Sequence, residues 1–132
     1  MRDRSKSLER VLAVQRQVVR LAEWGLGTLK QQCADIKEDQ ARLHAFVSSE
    51  EALSPLMSAA AFQRGQSLLG AIVKREAEAA TQTTYRDTMR RRERLAEKLV
   101  EKVRAEIECA AEKRHLEETI EASAWRDDAS FP

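Results

Sequence analysis

Stepping alternately by four and three residues from Leu8 gives Leu12, Gln15, Val19, Ala22, Leu26, Leu29, Cys33, Ile36, Gln40, Leu43 and Val47, and ten of these twelve positions are apolar. A period of 3.5 sustained over more than five heptads is the pattern with which a helix keeps one seam against a partner by supercoiling. The spacing predicts a first helix over about residues 7 to 48, roughly 60 Å long at 1.5 Å per residue. The segment SSEEALSP then breaks the pattern, with the turn expected at about 49 to 54. Ser54 is a capping residue, and Pro55 fits the first helical position, where its missing N–H costs nothing.

From Pro55 to about residue 124 only Gly65 and Gly70 speak against helix, so a second, longer helix is expected, with a break near Gly65 as the alternative. Its first seam reads Phe62, Gln66, Leu69, Val73, Glu76, Ala80 and Thr83. A phase slip near residue 83 leads to a second seam through Tyr85, Met89, Arg92, Ala96, Leu99, Val103, Glu106, Ala110, Lys113 and Ile120. Antiparallel pairing of Val47 with Phe62 puts Ile36 near Val73 and Leu8 near Glu101. Helix 2 then overhangs helix 1 at its carboxyl end, and the closing segment 125 to 132 has no periodicity and is expected to fray.

Composition sharpens this picture. Four Gly and two Pro in 132 residues leave little material for loops, and 34% charged against 5% aromatic residues suit a narrow seam better than a globular core. The expected fold is all-α, a long antiparallel two-helix coiled-coil hairpin forming a single domain over 1–132. There is no run of 18 apolar residues and no leader-like opening, which predicts a cytoplasmic protein. Cys33 and Cys109 are too few for a disulfide framework or a zinc site and are expected as small buried or half-buried side chains. His44 and His115 fall on different helices, far apart in the expected register, and no carboxylate or thiol arrangement accompanies them. No glycine loop suited to phosphates occurs outside a helical pattern. Catalysis, a metal, a cofactor and a small-molecule substrate therefore find no support, and the expected function is binding to other proteins.

Charge is distributed unevenly although the net value is only +1. Residues 1 to 20 and residues 86 to 104 each sum to +4, and the register brings these segments together at a basic end. The run RRRER at 90 to 94 reads as a solvated face, as a protein contact or, more weakly, as a nucleic-acid contact, since no aromatic side chains interleave to stack bases. Val11, Val14, Val18 and Leu21 form a second apolar stripe beside the seam, which something beyond helix 2 should cover. Trp24, in WGLG, lies opposite the seam, either as an exposed binding anchor or tucked against a neighbour where the glycines bend the helix. At the turn, Phe46 and Phe62 are more apolar surface than a thin tip can fully cover, and they read either as a contact with a partner or as a simple cap on the end of the helix pair.

The segments LERVLAVQRQVVRLAE at 8 to 23 and RRRERLAEKLVEKVRAEIECAAEKRHLEETIEA at 90 to 122, with the break near residue 50, resemble the flagellar export protein FliJ and its YscO-like relatives, the type III secretion stalk family. The resemblance covers most of the chain; WGLG and a tip without tyrosines depart from it. It implies a non-enzymatic, ATPase-associated stalk in bacterial flagellum biogenesis or type III secretion. Such a stalk is cytoplasmic, peripheral to the inner-membrane export apparatus, and active in protein transport. The implied partners are a hexameric export ATPase, an export-gate membrane protein and export chaperones. On this resemblance Val11, Val14, Val18, Leu21, Arg91, Arg92 and Arg94 would face the ATPase, and Gln40, Leu43, Val47, Phe62, Gln66, Leu69 and Val73 would meet the gate.

Two other classes fit the residues. One is a homo-oligomeric structural coiled coil or adaptor, in which the stripe on helix 1 pairs with another copy. The other is a basic helical module binding nucleic acid through Arg90 to Arg94, whose affinity would fall steeply with salt.

Overall fold

The structure, a computed structural model, describes residues 2–49 and 54–129. Two helices, α1 (Arg2–Ser49) and α2 (Pro55–Ala129), account for all of these except Ser54. The fold is an all-α two-helix hairpin, with no strand among the described residues. Both helices outrun their expected limits, α1 at its start and α2 at its end, where residues 125 to 129 are helical. Most of the expected turn, residues 50 to 53, and the last three residues lie outside the described residues.

The start of α2 is built as its residues suggest. The Ser54 hydroxyl accepts a hydrogen bond from the Met57 N–H at 3.1 Å, and the Ser54 carbonyl accepts one from the Ser58 N–H at 2.9 Å. Pro55 follows as the first helical residue. The break considered near Gly65 does not occur, because α2 runs through both Gly65 and Gly70 with no positive φ. WGLG likewise sits within an uninterrupted α1.

The chain divides into two compact units, Met1–Arg16 with Arg91–Pro132 and, separately, Gln17–Arg90. In a pair of helices each turn touches only the turns opposite it, so packing stays local. In the second unit the helices run antiparallel: Arg90 Nε donates to Glu23 at 3.0 Å, while Lys37 pairs with Glu76 at 3.2 Å. Val19, Ala22, Leu26 and Cys33 of α1 are buried there, as are Leu68, Ile72 and Met89 of α2. In the first unit Leu12 packs with Ala96 and Val100, covered by Leu8, and Arg104 Nη2 reaches Glu9 at 2.8 Å. That pairing is antiparallel too.

The seam expected on α1 is the one observed. All of its positions from Leu8 to Leu43 are buried or half-buried, and only Val47 is exposed. On α2 the seam differs. A strict alternation of four and three runs through Ala61, Gly65, Leu68, Ile72, Arg75, Ala79, Gln82, Arg86, Met89, Glu93, Ala96, Val100, Val103 and Ile107, all buried or half-buried, with Ala71, Glu78, Thr83, Asp87, Thr88, Arg90, Glu97 and Glu106 half-buried beside it. There is no phase slip near residue 83. The expected seam through Phe62, Gln66, Leu69, Val73, Glu76, Ala80 and Thr83 stood one residue too late: the first six are exposed and only Thr83 is half-buried. Of the second expected seam, Met89, Ala96 and Val103 are buried and Glu106 is half-buried, whereas Tyr85, Arg92, Leu99, Ala110, Lys113 and Ile120 face solvent.

The physical reason is that long or charged side chains tolerate a seam when their stems pack and their heads reach water. Small ones serve it by letting the opposite helix approach. A Cβ placed on Gly65 would lie 3.8 Å from Leu43 Cδ2, and one on Gly25 would lie 3.3 Å from Gln82 Nε2. Gln82 uses that space to donate to the Ala22 carbonyl at 3.3 Å. Cys109 is exposed, not half-buried as expected, because it lies beyond the last seam position of α2.

Candidate functional site

In the first unit the two sides of the helix pair have opposite chemistry. Residues that directly follow a seam residue share one flank. Glu9 follows Leu8 and bonds to Arg104, which follows Val103; Arg16 follows Gln15 and reaches Glu97, which follows Ala96, at 3.5 Å. Arg16 also approaches Glu93 at 3.9 Å. That flank is ionic and closed by its own charges.

Residues that directly precede a seam residue therefore share the opposite flank. Val11 precedes Leu12, and Leu95 and Leu99 precede Ala96 and Val100; Val14 stands one turn along the same stripe. All four are exposed, Val14 at 60% and Leu95 at 62%. Arg92 and Lys102 lie in the α2 stripe, with Arg91 and Lys98 on its outer edge, and Arg4 and Arg10 occupy the matching places on α1. These six cations are exposed and make no ion pair among the described residues. The flank is thus apolar along its middle, basic along its borders, and uncovered.

Of the residues expected to face an ATPase, Val11, Val14 and Arg92 fall on this flank, whereas Arg91 stands opposite the seam, at the flank's outer border. Arg94 is exposed but belongs to the stripe that follows Glu93 and so lies toward the ionic side. Val18 and Leu21 belong to the second unit, the first half-buried and the second exposed. Leu95 was not foreseen as part of the surface, and Leu99 was expected inside the seam. Their signal was available in their placement one residue before Ala96 and Val100. Trp24 is 72% exposed, which settles the choice between an exposed ring and a tucked one. Its carbonyl accepts the Thr28 hydroxyl at 3.0 Å, a bond that leaves the indole free.

In the second unit, Gln40, Leu43, Val47 and Phe62 line an open cavity of about 370 Å³ together with His44, Ser58, Ala61 and Gly65. Four of the residues expected to meet the gate are thereby gathered. Phe62 is 68% exposed at its rim, and Phe46 is exposed nearby in sequence. Gln66, Leu69 and Val73 do not line the cavity; they continue the exposed stripe of α2 beside Phe62.

No group of His, Cys, Asp and Glu among the described residues has the arrangement of a metal site. No helix among them is long and apolar enough to cross a membrane. Comparison with family models, curated proteins and solved structures finds no match to this chain.

Proposed function

We propose that this chain is a non-enzymatic stalk component of a type III, flagellar-like protein export apparatus, which links an export ATPase ring to an export gate. The observation that supports the reading best is the uncovered flank of the first unit, where Val11 and Val14 stand among Arg91, Arg92 and other unpaired cations. The hairpin closes its opposite flank with its own ion pairs and leaves this one unused. A protein that works only by contact needs such a surface. The second unit supplies a different one, the apolar cavity around Leu43, Val47 and Phe62, suited to the gate. The resemblance of residues 8 to 23 and 90 to 122 to the stalk family supplies the identity of the partners.

Mixing the chain with the export ATPase and following hexamerisation and ATP hydrolysis tests the proposal. Both rise if the chain is a stalk. No effect on either overturns the assignment.

A further inference from the structure

The middle of the second unit is built from residues that hold a helix weakly, and it is so on both helices at once. Within one turn α1 carries Gly25 and Gly27, and the facing part of α2 carries Thr81, Thr83, Thr84 and Thr88. Glycine is the poorest helix former after proline, and threonine is among the poorer of the rest. Packing accounts for Gly25, whose Cβ would stand 3.3 Å from Gln82 Nε2. It does not account for Gly27, whose Cβ would meet nothing within 4 Å.

Hydrogen bonds mark the same place. Gln82 Nε2 donates across the seam to the Ala22 carbonyl at 3.3 Å, and that carbonyl also stands in the ladder of α1, where the Leu26 N–H is its helical donor. Ala22 is 2% exposed, so a turn that opened here without Gln82 would strand a buried carbonyl. On α2 the hydroxyls of Thr81, Thr83, Thr84 and Thr88 donate to the carbonyls of Ala77, Ala79, Ala80 and Thr84 at 2.8 to 3.2 Å. Thr28 does the same for the Trp24 carbonyl on α1. Such bonds draw on the acceptors of the ladder and loosen or bend a helix, and a side chain inserted into the ladder is an ordinary cause of a kink.

We propose that residues 22–28 of α1 and 77–88 of α2 form a flexing point of the helix pair, at which the α1 turn around Gly25 and Gly27 opens locally. The buried residues on either side, Val19 and Met89 on one and Cys33 and Ile72 on the other, stay packed. Gln82 makes the opening possible, because its amide keeps the Ala22 carbonyl paired when the Leu26 N–H leaves. α1 is a continuous helix, so the open turn is a minor excursion from it. The exposed ring of Trp24 is carried on that turn. The inference needs only the second unit and does not depend on the stalk assignment.

Residue-resolved amide hydrogen exchange on the full chain tests it. Fraying is least in the middle of a 48-residue helix, so an ordinary α1 would be best protected around Leu26. The flexing point reverses this: after correction for intrinsic rates, the amides of 25–29 should exchange about tenfold or more faster than those of 33–40. Gly27→Ala, which fills open space, should slow the exchange of 25–29 about fivefold and leave 33–40 unchanged. Gln82→Met removes the substitute donor and should slow exchange at Leu26 across the seam. Even protection along α1 in the unaltered chain overturns the proposal, as does a Gly27→Ala variant that exchanges like it. Faster exchange at Leu26 in Gln82→Met also overturns it, because Gln82 is then a clip that holds the turn shut.

Discussion

The ionic and apolar flanks of the first unit are built on the same pair of helices, at equivalent distances from the same seam, and differ only in which residue type sits after or before each seam position. After Leu8 and Gln15 come Glu9 and Arg16, whose partners Arg104 and Glu97 stand across the seam. Before Leu12 comes Val11, and across the seam from it stand Leu95 and Leu99 beside unpaired cations. One flank spends its side chains on internal pairing, and the other holds them in reserve. The contrast teaches that in a two-helix fold the internal bonds of one side mark, by their absence, the side available to partners.

The sharpest way to break this comparison is to ask whether seam and flank differ in what they contribute to folding. Leu12→Ala removes a side chain buried at 7% exposure, and thermal unfolding should show a loss of about 2 kcal/mol or more. Val11→Ala, next to it on the flank, should change stability by less than about 0.5 kcal/mol. Equal losses would mean that the flank is part of the fold and not a reserve.

A smaller effect is expected at Gln15, whose Oε1 is buried without a hydrogen-bond partner. Gln15→Leu removes that unmet acceptor and should stabilise the chain by about 1 kcal/mol in chemical denaturation. Destabilisation instead would show that the amide is held by something the seam alone does not provide. The smallest effect belongs to the ionic flank. Glu9→Gln removes the negative charge facing Arg104 and leaves a neutral amide oxygen as acceptor, and both side chains are substantially exposed. The cost should be about 0.5 kcal/mol or less and should vanish in high salt.

The same residues explain how much of the molecule was legible in its sequence. On α1 the seam is apolar at nearly every step, and its exposed neighbours are mostly polar, so periodicity alone finds it. On α2 the two compete. The true seam includes Gly65, Arg75, Gln82, Arg86 and Glu93, whereas exposed stripes beside it carry Phe62, Leu69, Val73 and Leu99. Hydrophobicity therefore favours the wrong phase, and a phase slip is needed to rejoin Met89, Ala96 and Val103. Holding the four and three alternation strictly backward from those three residues recovers the seam. So does matching opposite charges across the helices, since Glu9 with Arg104, Glu23 with Arg90 and Lys37 with Glu76 fix the register. The expected register itself was close, because Leu43 does lie opposite Gly65.

The candidate surface was partly legible for a related reason. Val11 and Val14 could be picked out as apolar residues outside any seam, and they lie on one flank with Arg92, which was taken for a seam residue, while Arg91 stands at its outer border. Leu95 was invisible as long as Leu99 was taken for a seam residue, because the flank can be drawn only after the seam is in phase. Ile120 was misread in the same way, as the end of a seam that in fact stops at Ile107.

The central claim is that the uncovered flank is the working surface of an export stalk, and ATPase stimulation by paired variants tests it most directly. Arg91→Glu with Arg92→Glu on the apolar flank should abolish the increase in hexamerisation and hydrolysis. Glu9→Arg with Arg104→Glu, which exchanges an ion pair on the closed flank, should leave it intact. Stimulation that survives the first pair and disappears with the second, or no stimulation by the unaltered chain, would contradict the account.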